Sequence, residues 1–78
     1  MKYEGLVFTL DDGKDYMVIE TVEIDGDIYA YFTNEHNEVD SFFGKITNKD
    51  YDLHIENISS EEFSDKVLPG FIAKNYGN

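Results

Sequence analysis

Apolar and polar positions follow a period of about two through the first two thirds of the chain, and the period then lengthens. Leu6, Phe8 and Leu10 fall on one side of an extended segment, as do Ile28, Ala30 and Phe32 further on. Such alternation is the mark of strands with one buried face, because successive side chains on a strand point to opposite sides. Strands are predicted over residues 3–10, 15–24, 28–33, 39–46 and, with a weaker pattern, 51–58. Each is followed by a turn signal: Asp11-Asp12-Gly13-Lys14, Asp25-Gly26-Asp27, the polar run 34–38, and Thr47-Asn48-Lys49-Asp50. The Asp-Gly pairs are the strongest of these, since a tight hairpin needs positive φ where Gly and Asp are tolerated.

The second strand does not alternate cleanly. It is apolar on both sides from Tyr16 to Ile19, and Glu20 then interrupts one face. One residue of slip exchanges the two faces of a strand, so a β-bulge is predicted near Glu20 and Thr21. The bulge would let the sheet coil and leave its second face partly apolar. After residue 58 the pattern becomes helical. Ser59-Ser60-Glu61-Glu62 fits a capping box, and Phe63, Val67 and Leu68 follow at helical spacing. Pro69-Gly70 is expected to break that helix after about two turns. The predicted fold is thus α+β: a four- to five-stranded curved antiparallel meander with a short, Pro-broken C-terminal helix. It occupies one domain, 1–78, with the meander over about 3–58 and the helical part over about 60–74.

Phe8-Thr9-Leu10-Asp11-Asp12-Gly13, then 18–26 (Val-Ile-Glu-Thr-Val-Glu-Ile-Asp-Gly), Tyr29-Ala30-Tyr31 and Ser60-Glu61-Glu62-Phe63 together resemble a family of small acidic proteins of unknown function. That family occurs in low-GC Gram-positive bacteria and their mobile elements. The resemblance implies an antiparallel sheet with a C-terminal helix and a bacterial or phage origin. It brings no catalytic residue with it.

Composition narrows the function classes. A chain of 78 residues buries only roughly 60% of the surface its unfolded form exposes, so modest stability is expected. Cysteine is absent, which removes disulfides and thiol chemistry and suits a reducing compartment. No basic stretch followed by an apolar run opens the chain, and no apolar run approaches the roughly 20 residues of a membrane span. A soluble, cytoplasmic protein is the expectation. Seventeen Asp and Glu face six Lys and no Arg, for a formal charge of −11. Direct binding to nucleic acid or to an anionic membrane is disfavoured, because both repel such a surface. A basic partner is favoured, although acidity can also serve solubility alone.

Candidate chemistry is sparse. His36 and His54 lack metal-ligand spacing, and Asp25-Gly26-Asp27 and Asp11-Asp12-Gly13 lack the ligand pattern of a calcium loop. Turn-forming Asp accounts for the latter two. No phosphate loop or nucleophile set is present, and a chain of this size is not expected to enclose a pocket of several hundred Å³. No cofactor and no enzymatic activity are expected. Tyr29 and Tyr31 share one sheet face. Ordinary strand packing explains them, and an exposed aromatic patch for a protein partner or a homodimer is the alternative.

The charge pattern is the sharpest feature. In a meander, alternate turns lie at the same end of the sheet. The first and third turns would therefore gather Asp11, Asp12, Asp15, Glu35, Glu38 and Asp40, with only Lys14 opposing them. Without Arg, nothing in the chain can clamp these carboxylates bidentately. The expected function is a non-catalytic acidic binding protein that occupies a basic surface of a protein partner. By analogy with small acidic phage and mobile-element proteins, it would be a nucleic-acid mimic that inhibits a nucleic-acid-handling enzyme of host defence.

Overall fold

The computed structural model describes residues 3–76. Five strands form one sheet in the order β1-β2-β3-β4-β5, each antiparallel to its neighbour. They are β1 (Val7–Thr9), β2 (Asp15–Ile24), β3 (Asp27–Asn34), β4 (Asn37–Lys49) and β5 (Asp52–Glu56). The predicted meander is therefore present with all five strands, although β1 is shorter than the pattern suggested. Tyr3 and Leu6 close a tight turn ahead of it, through a hydrogen bond from the Leu6 N–H to the Tyr3 carbonyl at 3.0 Å.

The bulge falls one residue before the predicted place. Val18 pairs with Phe32 and Glu20 with Tyr31, so Ile19 is the extra residue. Its effect is to exchange the faces of β2. Tyr16 and Val18 point to one side of the sheet, whereas Val22 and Ile24 point to the other. One strand thereby contributes to two apolar clusters.

The first cluster lies inside the curl of the sheet. Tyr16, Val18, Ala30, Phe32 and Ile46 form its buried part, with Phe8 of β1 and Leu53 and Ile55 of β5 packed against it. In a flat sheet β1 and β5 would stand about 19 Å apart, four strand spacings. Side chains of both reach the same cluster because the sheet bends round it. Phe32 stacks on Phe42 at 4.9 Å and meets Phe8 edge-on at 5.9 Å. Gly44 permits this approach, since a Cβ there would stand 3.3 Å from the Phe32 ring and 3.1 Å from Ile55 Cγ2.

The second cluster lies between the outer face and the helix. Ser59 is the N-cap and accepts a hydrogen bond from the Glu62 N–H at 3.0 Å, as the capping box predicts. The helix is not broken at Pro69. α1 (Ser60–Glu62) passes directly into a π-helical segment (Phe63–Val67) and then α2 (Leu68–Tyr76). Proline lacks an N–H, and its ring clashes with the carbonyl four residues back in α geometry. The π segment widens the turn just before it, with the Leu68 N–H bonded five residues back to Phe63. Phe63, Val67 and Phe71 then face the sheet, and Leu68 is turned outward. Phe43 of β4 receives Phe63 at 5.1 Å and Phe71 at 5.3 Å.

The last hairpin differs from expectation as well. β4 continues to Lys49, and the turn is Asp50-Tyr51, with φ of 52° and 70°. Its geometry matches the Asp25-Gly26 turn, where φ is 54° and 86°. Both have the two positive φ values of a type I′ hairpin. Tyr51 holds this shape without the freedom of glycine, and its side chain is fully exposed.

Candidate functional site: the acidic end and the cleft beside it

The turn between β1 and β2 is held by its own backbone. The Leu10 N–H bonds the Lys14 carbonyl at 3.0 Å, the Gly13 N–H bonds the Leu10 carbonyl at 2.9 Å, and Asp12 accepts from the Lys14 N–H at 2.8 Å. The turn between β3 and β4 sits against it. The Glu35 N–H donates to the Asp15 carbonyl at 3.0 Å, and Asn34 Oδ1 accepts from the His36 N–H at 2.8 Å. These bonds set the two turns side by side, with Glu35 next to Asp15.

The six carboxylates are not equivalent. Asp40 is committed inward: it accepts from the Tyr16 hydroxyl at 2.8 Å and from Asn34 Nδ2 at 3.2 Å, and pairs with Lys14 at 3.8 Å. The Tyr16 hydrogen bond, chiefly, holds the Asp40 carboxyl below the usual range. The same bond, with burial, pushes Tyr16 up to about 12. Asp15 accepts from the Thr9 hydroxyl at 2.6 Å. Asp11, Asp12, Glu35 and Glu38 are exposed, and among the described residues none of these four, nor Asp15, makes a salt bridge. The other paired lysines are engaged elsewhere: Lys45 with Asp27 and Glu62, Lys49 with Glu56, and Lys74 with Glu4.

An open cleft of about 600 Å³ adjoins this end. Phe8, Leu10, Phe42, Leu53 and Ile55 give it apolar walls, and Asp11, Asp12 and His54 stand among its polar residues. It lies where the curled sheet fails to close, between the free edges of β1 and β5. A pocket of this size was not expected from the sequence. Chain length limits an enclosed cavity, but it does not limit a gap between sheet edges.

Tyr29 and Tyr31 do share a face, but it is the face under the helix. Tyr29 is completely buried, and its hydroxyl donates to Glu62 at 2.5 Å, with Lys45 Nζ 5.7 Å from the ring centre. Tyr31 is half-buried against Phe43 and donates to Ser41 Oγ at 2.9 Å. An exposed patch built on Tyr29 is therefore ruled out by the helix that covers it. Burial, then the Glu62 hydrogen bond, raises the Tyr29 hydroxyl well above its ordinary range. That bond in turn is the main reason Glu62 is held low.

His36 is exposed in the β3–β4 turn and His54 is exposed on β5. Among the described residues no three acidic or histidine side chains gather as a cation site, and no helix is long and apolar enough to cross a membrane. Comparison with protein-family models, curated proteins and solved structures finds no match to this chain.

Proposed function

We propose that this chain is a non-catalytic binding protein whose acidic end occupies a basic surface of a protein partner. One observation supports the reading: two adjacent turns carry Asp11, Asp12, Asp15, Glu35 and Glu38, and among the described residues none of the five makes a salt bridge. Carboxylates on neighbouring turns repel one another, and a cationic surface relieves that repulsion. The two turns are two strand spacings apart, about 10 Å, a charge density of the order of a phosphate backbone. A groove built for nucleic acid is thus the proposed partner surface, and inhibition of a nucleic-acid-handling enzyme of host defence the proposed role.

The test is affinity capture from a bacterial lysate at low and high salt, with partners identified by mass spectrometry. Charge reversal at Asp11, Asp12, Glu35 and Glu38 together should abolish capture, and reversal at Glu61 or Asp65 should not. Capture should weaken steeply as salt rises. Retention of the same partners by the four-site variant would refute the proposal, as would the recovery of no basic nucleic-acid-handling protein.

A further inference from the structure

We infer that the cleft between the free edges of β1 and β5 is a docking groove for an extended peptide segment in which apolar residues alternate with lysine or arginine. In a five-strand meander β1 and β5 run the same way, so this sheet cannot close on itself with an antiparallel pair. One further strand, running opposite to both, is antiparallel to each neighbour and completes a six-stranded barrel. An open cleft of about 600 Å³ is lined by residues of both strands.

The backbone supports the same conclusion. β5 pairs with β4 alone, so its second edge is unpaired. The outer edge of β1 is likewise unpaired. Rows of free N–H and C=O groups on an edge are a template for a strand from another chain.

Side chains specify the occupant. A strand laid in the gap directs alternate residues inward, towards Phe8, Leu10, Phe42, Leu53 and Ile55, which asks for apolar groups. Asp11 and Asp12 stand in the lining, and neither Lys nor Arg does. The remaining side chains of the guest are therefore best cationic. A second copy of this chain fits poorly, since it would bring another −11 to the acidic turns. The charge of the guest rests on the function proposed above, whereas the strand pairing does not.

Synthetic peptides of about ten residues, roughly 33 Å when extended, are suitable probes. One alternates lysine and valine, a second alternates lysine and glycine, and a third is the first peptide N-methylated at every second residue. Each is titrated into the full, ¹⁵N-labelled chain while amide shifts and amide exchange are followed. The lysine–valine peptide should shift the amides of residues 8–10 and 53–56 and slow exchange there at least tenfold. N-methylation keeps charge and side chains but removes edge donors, and should weaken binding at least tenfold. If the lysine–glycine peptide binds equally well, or N-methylation changes nothing, the groove is refuted while the acidic-end proposal stands. If neither unmodified lysine peptide binds, the groove is refuted, and the acidic end is decided by lysate capture alone. Concentration-dependent shifts of the same amides without peptide would assign the groove to a second copy and overturn the inference.

Discussion

Phe32 and Tyr29 stand on opposite faces of β3 and both are fully buried, yet the two faces are finished differently. The outer face is covered by a separate element. The helix lays Phe63, Val67 and Phe71 across it, and Tyr29 and Lys45 tie to Glu62 at its start. The inner face is covered only by the sheet bending over itself, and the bend stops before β1 meets β5. The comparison separates two tasks within a small chain. The helix side supplies closure, and the open side supplies both the vacancy and, at its mouth, the uncompensated acid. In physical terms, a sheet that completed its curl would bury more apolar surface and lose its groove.

Excavating each face in turn should separate the two tasks most strongly. Phe32→Ala should cost about 3–5 kcal/mol and unfold the chain as a whole, since it empties the cluster on which the outer strands converge. Phe71→Ala should cost about 3 kcal/mol. Its signature should differ: amide exchange should rise first along α2 while β2–β4 stay protected. Urea unfolding with residue-resolved exchange checks both, and equal loss of protection everywhere in Phe71→Ala would contradict the division of tasks.

Glycine substitutions probe the same faces more gently. Gly44→Ala should cost about 1–3 kcal/mol, because its Cβ would press on the Glu56 carbonyl and the Phe32 ring, neither free to move. Gly70→Ala should cost less. Its Cβ would meet the Ile24 Cδ1 tip at 2.7 Å, which can rotate away, and alanine favours the helix by about 1 kcal/mol. A larger loss for Gly70→Ala on thermal unfolding would reverse the ranking of the two faces.

Tyr29→Phe should lower stability by about 1 kcal/mol at neutral pH. Its pH signature is the sharper test. Glu62 has a folded value below 4.5, so its bonds stabilise the fold above that pH and the contribution is lost as pH falls through the lowered value. Tyr29→Phe removes the main cause of the lowering, so its stability should fall less between neutral and acid pH than that of the parent. An unchanged acid slope in chemical unfolding would refute this account. At the smallest scale, Asp11→Asn and Glu35→Gln should alter stability by less than about 0.5 kcal/mol while weakening partner capture. A large stability change would mean that these carboxylates serve the fold.

The meander and its hairpins were legible because local chemistry dictates them. Asp25-Gly26 sits where positive φ is needed, and the double-sided apolar run of 16–19 announced the bulge. The joint position of the acidic turns was legible from strand parity alone. Three features were not. Tyr51 carries no turn signal, so the pattern alone puts the last hairpin too early; only the pairing of Lys49 with Asp52 forces its left-handed backbone. Pro69 reads as a helix breaker, and nothing local shows that a π turn can absorb it. The cleft depends on how far the sheet curls, a property of five strands together and of none singly. The inward commitment of Asp40 was hidden for a similar reason, since Tyr16 lies 24 residues away in the chain.

The Asp50-Tyr51 turn also bears on the order in which the chain folds and frays. A meander joins only sequence neighbours, so loop closure is cheap and folding should be fast. The hairpins are nonetheless unequal. Asp25-Gly26 adopts its turn readily and should form early with β2 and β3, whereas Tyr51 must enter a left-handed conformation that costs about 1–2 kcal/mol for a residue with a Cβ. β5 should therefore be the last strand to dock and the first to leave. Its departure widens the gap beside β1, so the time constant of that one strained turn would set how often the chain presents its open edge to an arriving strand.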